Sequence, residues 1–490
     1  MSTSGSMKGR DYFGLAFGSM IGIGWVVSAP LWIANAGSIG AMIAMVLTAL
    51  IVIPVGLTYS ELSTSVRMRG GEFAFAHTFI GRKSGFTCGW FLLLGYLTIL
   101  PWVAISVAAM VAYVFPWLES SPLYTVLDNT IYLPELLVGL LMVWGLTFLN
   151  LKGVKASKNF QTAATALLLL TFVIFFIGCF VTGKFENLQP YFIPGGTGNA
   201  AAGILAAIAS MLFFMNGFDT IPKAADEAAS GINMKNLAKA LIGTIVLGSV
   251  VYLFVILSTS LIMVPGESVN LGSLPLISAY ELSTGSKFLV YIMIFGTIMG
   301  VTTTFNGFLL AGSKLLSQFA TAGFVSRAVG KQNAKGIPTR ALIILALIAT
   351  AGLFAGKGLL TPLITMGGIA FLVAWFFVAV STLRFSSKEP NTPRLFKTPG
   401  GKPMMWIAVI ITAALTLAMV LPGTFISLGI TENTLLAAWV ILGIVVYVVY
   451  RKQDIVIERL PVPAVQNEKP ADAEPPQGSN VGSLPAIQAQ

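Results

Sequence analysis

Charge is scarce in this chain. Only 10% of its 490 residues are Asp, Glu, Lys or Arg, against 56% apolar residues. A soluble surface on a chain of this length needs far more charge, so the composition fits an integral protein solvated by the lipid bilayer. Histidine is scarcer still: His77 stands alone, which excludes a histidine-rich metal site. The only cysteines, Cys88 and Cys179, fall in apolar surroundings and read as packed thiols rather than a disulfide framework. No Gly-x-x-x-x-Gly-Lys-Ser/Thr loop occurs, which speaks against ATP-driven pumping. No nucleophile is accompanied by a base or a metal cluster, so an intramembrane enzyme has no visible machinery and no cofactor is implied. A channel needs a continuous polar lining, and the polar positions here cluster instead at two places.

What the sequence has in abundance is long apolar runs. A spanning helix needs roughly 20 mostly apolar residues. Twelve candidates occur, at 12–34, 38–62, 86–113, 133–151, 160–182, 200–222, 237–264, 288–318, 341–355, 360–383, 403–423 and 432–450. Met1 to Arg10 is polar, and the first run is too long and lacks a small-residue cleavage pattern, so it reads as a retained helix rather than a leader.

The net charge of +10 does not point to nucleic acid. With the N-terminus in the cytoplasm, only Lys184, Lys287 and Lys357 of the 29 basic residues fall outside that side. This asymmetry predicts an even number of spans, both termini cytoplasmic, in the cell membrane. Beyond Lys452 the chain becomes rich in Pro, Glu and Gln, and residues 453–490 read as a disordered cytoplasmic tail.

Two spans carry a central interruption. The first is "GSMIGIGWVVSAP", Gly18 to Pro30; the second is "LFFMNGFDTIPKAADE", Leu212 to Glu227, in the sixth span. Five spans apart, the two helices run in opposite directions, the arrangement of an inverted-repeat transporter with its substrate site near the midplane. Glycines also permit close helix packing, and Gly18 with Gly22 fits that spacing. Gly24 adds local weakening of the helix. A broken helix exposes N–H groups that suit a carboxylate and carbonyls that suit an ammonium group. A small zwitterion is the natural guest.

Over about residues 10–450 the chain resembles the amino acid, polyamine and organocation permease superfamily. The family's first-helix pattern, Gly-x-x-x-Gly-Ser/Thr-Gly-Ile/Val, corresponds to Gly18, Gly22, Ile23, Gly24 and Trp25. "GGEFAF", Gly70 to Phe75, resembles the opening of the third helix, and "FFMNGFDTIPKAADE" the sixth-helix pattern that ends in the acidic pair Asp226 and Glu227. The resemblance implies an all-α membrane protein with five-plus-five inverted repeats, of the LeuT-like kind, at 12–182 and 200–385. It also implies two further helices within 403–450 and an N-terminal tail over 1–11. Substrate would bind between the unwound parts of helices one and six by alternating access. Ile23 and Gly24 would offer N–H groups to a carboxylate. Carbonyls of Met20 and Ile21, with those near Phe213 and Asn216, would receive an amine. The implied substrate set is Met20, Ile21, Gly22, Ile23, Gly24, Phe213, Phe214, Met215, Asn216 and Gly217, with Phe213 as an aromatic gate.

Two departures bear on substrate and coupling. Ile23 stands where many members carry Ser or Thr, and Trp25 where Ile or Val is usual. The fifth-helix lysine of proton-coupled relatives falls at or near Leu168, and 160–181 contains no charge. Thr302, Thr303 and Thr304 lie where sodium-coupled members of this fold supply hydroxyls, which suit a hard cation. Threonines in membrane helices also bond their own backbone, and both readings stand. The coupling ion is a proton or sodium.

Among the remaining polar residues, Asp219 is an ionisable group inside a membrane segment and hence a functional candidate. It reads as a cap for the second half of the sixth helix and a pH-sensitive gate. Asn216 serves either a substrate side chain or the broken backbone. Asn306 and Tyr96 read as helix packing, with a place in the pocket lining as the alternative; Trp90 and Trp102 read as interfacial or packing residues rather than ligands. Asp226 and Glu227, near Lys223 and Lys235, read as a salt-bridge gate, with Glu61 and Arg67 or Arg69 in the same closure. His77 reads as a surface or interfacial residue. The function these features support is a secondary permease for neutral or apolar amino acids, by ion-coupled symport or exchange. An amine or polyamine transporter or antiporter of the ethanolamine or putrescine kind is the alternative, favoured only by Asp219.

Overall fold

The computed structural model describes residues 17–18, 20–22, 24–152, 154–193, 199–220, 234–264 and 274–460. These are almost wholly helical, because an apolar bilayer leaves backbone N–H and C=O groups no partner but the helix's own. After the helical residues Phe17, Gly18 and Met20 come α1 (Gly24–Ala36), α2 (Ser38–Ser65), α3 (Glu72–Phe79) and α4 (Arg82–Val114). These are followed by α5 (Leu133–Lys152), α6 (Val154–Thr182), α7 (Ala200–Phe214), α8 (Met234–Ile262), α9 (Pro275–Thr284) and α10 (Lys287–Ala322). The chain continues as α11 (Thr339–Leu353), α12 (Leu360–Lys388), α13 (Gly401–Val420) and α14 (Ile430–Tyr450). Two small antiparallel ladders join β1 (Arg67–Met68) to β4 (Arg459–Leu460) and β2 (Pro122–Val126) to β3 (Asn129–Tyr132).

Among the described residues, nine helices are long and apolar enough to cross a membrane, and the protein is an integral membrane protein. They coincide with nine of the twelve expected spans. The other three appear as shorter helices, α1 with 13 residues and α7 and α11 with 15 each. Fifteen residues rise about 22 Å at 1.5 Å each, short of the roughly 30 Å hydrocarbon core. For α1 and α7 the cause is local: each adjoins a break in the middle of its apolar run.

Burial separates centre from rim. The apolar window of α4 is 83% buried within the protein and that of α14 only 6%, so α4 is a central post and α14 a peripheral helix. Small residues set the spacing around α10, where Gly300 lies against Leu168 and Gly312 against Leu345. The helices fall into two packing groups. In one, α2 packs on α8 and α7, and α1 on α7; in the other, α4 packs on α10, α11 and α5. Helix α12 touches both groups through α4, α7 and α2.

Three parts of the chain differ from the reading of the sequence. The third span begins at Arg82, after a separate helix α3 that Gly81, at φ 146°, divides from it. The β2–β3 hairpin and α9 fill connections that have no apolar period to announce them. Finally, the segment assigned to the tail from residue 453 is ordered through Leu460. Within Asp454 to Leu460, Ile455 and Ile457 pack against the core.

Candidate functional site

The first break follows the helical residues Phe17, Gly18 and Met20. Ile21 N–H still donates to the Phe17 carbonyl at 2.9 Å, the chain then bends at Ile21 and Gly22, and helix resumes at Gly24. The carbonyls left without helical partners are received from other helices. Thr304 Oγ1 donates to Gly18 O at 2.9 Å, Thr303 Oγ1 reaches the same oxygen at 3.3 Å, and Tyr252 OH donates to Met20 O at 2.8 Å. Glycine is required here by proximity. A Cβ on Gly22 would collide with the Thr304 hydroxyl, and one on Gly24 with the Phe214 ring. Both glycines therefore open the helix and admit its neighbours.

The second break follows α7. Met215 N–H closes the last turn on Met211 O at 3.1 Å, and the Asn216 amide donates to Phe213 O. Gly217 then turns the chain at φ 114°, a left-handed value that a side chain would strain. Asp219 Oδ1 accepts the Gly217 N–H at 3.0 Å, and Oδ2 accepts the hydroxyl of Tyr96 from α4. Thr220 closes the turn with N–H and hydroxyl bonds to Gly217 O at 3.1 and 2.6 Å. The Asp219 carboxylate is fully buried, so these donors compensate part of its lost hydration.

Between the two breaks lies a narrow cavity. Met20, Gly22 and Gly24 line it from the first break; Phe213, Phe214 and Asn216 line it from the second. Helix α4 adds Ile99, Trp102 and Val103, and α10 adds Thr304 and Phe308. Trp102 meets Phe213 and Phe214 edge-on, with ring centroids 5.9 and 5.4 Å apart. Phe213 also abuts Gly367 of α12, where a Cβ would overlap its ring. The wall is thus chiefly aromatic and aliphatic, with polar groups confined to the two breaks, Thr304 and the indole of Trp102.

Of the residues singled out in the sequence, Met20, Gly22, Gly24, Phe213, Phe214 and Asn216 converge on this cavity. Ile21, Met215 and Gly217 are buried beside it rather than among its lining residues. Ile23, Asp226 and Glu227 lie outside the described residues. Thr303 and Thr304 reach the first break, whereas Thr302 bonds Met299 O in its own helix at 2.7 Å. Leu168, at the position of the missing lysine, packs against Gly300, one turn from that threonine pair. Among the described residues no cluster of three His, Cys, Asp or Glu side chains could hold a metal ion.

Other sequence readings are corrected or kept. Trp102, read as packing or interfacial, stands in the cavity wall; Pro101 beside it, in mid-helix, was the available signal. Tyr96 binds Asp219. Asn306 keeps the helix-packing reading, joining α10 to α5 by accepting from Asn150 at 2.8 Å. Glu61 pairs with Arg394 at 2.6 Å and accepts Thr398 N–H at 2.8 Å. Arg69 pairs with Glu458 at 3.2 Å instead. His77 is half-buried against Phe324, in keeping with an interfacial place, and burial followed by the Arg82 charge lowers its pKa.

Comparison with known proteins places this architecture. Residues 9–447 match the family described as amino acid permease. The chain is 25% identical to the branched-chain amino acid permease BcaP of Bacillus subtilis, over 90% of this chain and 91% of that protein. It is 25% identical to the gamma-aminobutyric acid permease of the same organism, over 92% and 95% of the two chains. The large neutral amino acids transporter small subunit 2 of Homo sapiens is 25% identical over 78% of this chain and 70% of that protein. A match across nearly the whole chain, on a helical membrane protein with paired helix breaks, establishes that the chain belongs to the amino acid permease family.

Proposed function

We propose that this protein is a secondary permease of the cell membrane that carries a neutral or apolar amino acid by alternating access, as an ion-coupled symporter or an exchanger. The observation that carries this reading is the cavity at the meeting of the two helix breaks, with an apolar wall and polar backbone at its ends. The substrate carboxylate faces the N–H groups at Ile23 and Gly24, where the positive end of α1 favours an anion. Its ammonium group faces the carbonyls around Met20, Ile21 and Phe213. Met20 O and Phe213 O each accept one bond already, and a carbonyl oxygen has a second lone pair. The apolar side chain lies against Ile99, Trp102, Phe213 and Phe308, with Phe213 as the gate. The relatives named for branched-chain and large neutral amino acids agree with such a wall.

The reading includes twelve spans in two inverted five-helix repeats, with both termini cytoplasmic. Packing supports it. Exchanging each of the first five spans for its counterpart five later maps strong contacts onto strong contacts: α4 with α12 onto α10 with α6, and α4 with α5 onto α10 with α11. The pairs α1–α7, α2–α8, α4–α10 and α5–α11 map onto themselves, and all four are in contact.

For coupling, Gly18 O, Thr303 Oγ1 and Thr304 Oγ1 form a group of hard oxygen atoms that suits sodium. Asp219, buried beside Tyr96, is the proton-linked alternative, and Asp226 and Glu227 belong to the cytoplasmic gate. Asp219 is already engaged by Tyr96 and Gly217, which disfavours direct use on a substrate amine. A thermal-shift screen of amino acids, ethanolamine and putrescine, with and without sodium, followed by proteoliposome uptake, tests all of this. Stabilisation and uptake by a neutral amino acid are expected; a response to amines alone would replace the reading with the amine transporter.

A further inference from the structure

Beyond α14 the chain does not leave the protein. Arg82, the first residue of α4, donates from its guanidinium to the carbonyls of Tyr450 and Gln453 at 2.9 and 2.8 Å. Val456 N–H then donates to Ala322 O, the last residue of α10, at 3.1 Å. The root of the segment is therefore fixed to the α4 and α10 ends of one packing group. Its tip is fixed elsewhere. Arg459–Leu460 pairs antiparallel with Arg67–Met68, just after α2, and Arg69 N–H donates to Glu458 O at 3.1 Å. Arg69 and Glu458 pair through their side chains at 3.2 Å, and Arg459 holds Glu389, just after α12, with two bonds at 2.8 and 3.3 Å.

This ten-residue segment ties the ends of α4 and α10 to the link between α2 and α3 and to the end of α12. The two packing groups meet at the cavity, and few direct contacts join α2 to α4 or α10. On the permease reading, opening the cavity to the segment's face moves the end of α2 relative to α4 and α10. A seated tip opposes that motion. The two fastenings also differ in kind. The root hydrogen bonds are made by the half-buried start of α4, whereas the Arg69–Glu458 and Arg459–Glu389 pairs are open to water and screened by salt. The tip can detach while the root holds.

We propose that Arg451–Leu460 is a releasable strap that keeps the cytoplasmic face closed, so that detachment of its tip from Arg67–Arg69 and Glu389 is a step of inward opening. The direction of this effect rests on the permease reading; the strap itself rests on the contacts above.

The test combines transport with proteolysis. Initial uptake is measured in proteoliposomes with labelled leucine, or with whichever panel amino acid gives the full-length chain its largest rate. Arg459→Glu is expected to raise that rate about threefold, the scale of one or two exposed ion pairs, without changing KM. Arg459→Glu combined with Glu389→Arg is expected to return it to the starting value. A chain ending at Lys452 should behave like Arg459→Glu, and one ending at Leu460 like the full chain. An unchanged or lowered rate in Arg459→Glu, or no reversal in the double variant, overturns the proposal. Tryptic cleavage after Arg69, whose N–H and side chain the tip holds, gives a readout independent of transport: it should quicken in Arg459→Glu and slow again in the double variant. If the full-length chain transports nothing in the panel, the permease reading fails, and cleavage alone then decides whether the strap exists.

Discussion

Thr304 donates its hydroxyl to the carbonyl of Gly18 across 2.9 Å, so a side chain of α10 caps the first half of a helix that lies 286 residues away in sequence. Gly22 sits directly against the same hydroxyl. The break in the first span is thus a joint between helices, held open by a partner from the other packing group. Its glycines, its capping threonines and the cavity wall are parts of one arrangement.

Gly24→Leu should abolish transport, because its side chain would fall on the Phe214 ring in the cavity wall. Overpacking of this kind costs about 1–3 kcal/mol, which a folded membrane protein can survive. Purified protein should therefore remain monodisperse with a lowered Tm while the stabilisation by amino acids disappears. Substrate-induced stabilisation equal to that of the unmodified protein would show that the break does not hold the substrate.

Thr304→Val should weaken the protein by about 1 kcal/mol through loss of the bond to Gly18 O. It should also remove any sodium-dependent rise in Tm. Thr302→Val is the control, since Thr302 bonds only within its own helix at 2.7 Å to Met299 O. A sodium response that persists in Thr304→Val, or vanishes equally in Thr302→Val, would locate the ion elsewhere.

Asp219→Asn keeps one oxygen, which can accept from Gly217 N–H or from Tyr96 OH but not from both as the two carboxylate oxygens do, and the side chain cannot ionise. Exchange of substrate at fixed pH should survive this change. The pH dependence of net uptake should flatten if Asp219 is the proton-linked gate, whereas Tyr96→Phe should displace the pH profile without abolishing it. Identical pH profiles for Asp219→Asn and the parent chain would remove Asp219 from the coupling scheme.

Glu389 offers a pH prediction outside the membrane. The Arg459 hydrogen bonds hold its carboxyl below the usual value of 4.5. A depressed folded pKa means the contribution is full above the unfolded value and is lost as pH falls through the lower folded one. Tryptic digestion is impractical there, so an acid-active protease or hydrogen exchange over Gln453–Leu460 is the measure. Protection should be constant from neutral pH down to about 4.5 and decline below it. In Glu389→Gln the decline should be absent, protection being already reduced at neutral pH.

Much of this protein could be read without coordinates. Composition and apolar run length identify a membrane protein, because the bilayer demands about 20 apolar residues per crossing and tolerates little charge. Gly22, Gly24 and Gly217 mark the breaks because local helix weakness is a property of the residues themselves. The site is legible to the same extent: the residues of the two breaks were found, since each break is contiguous in sequence. Trp102, Phe308 and Ile99 were not, since in a buried helix apolar residues on every face look alike and only packing tells which face meets the cavity. The strap was hidden for a related reason. Its fastening depends on Arg69, Arg82 and Glu389, residues from distant loops whose charges look like ordinary solvated termini in a linear reading. The sequence by itself determined the solvent, the spans and the two weak points; the tertiary structure alone decided which helices close on them. That division follows from range, since hydrophobicity and helix propensity act locally, whereas a bond such as Thr304 to Gly18 exists only after the whole chain has packed.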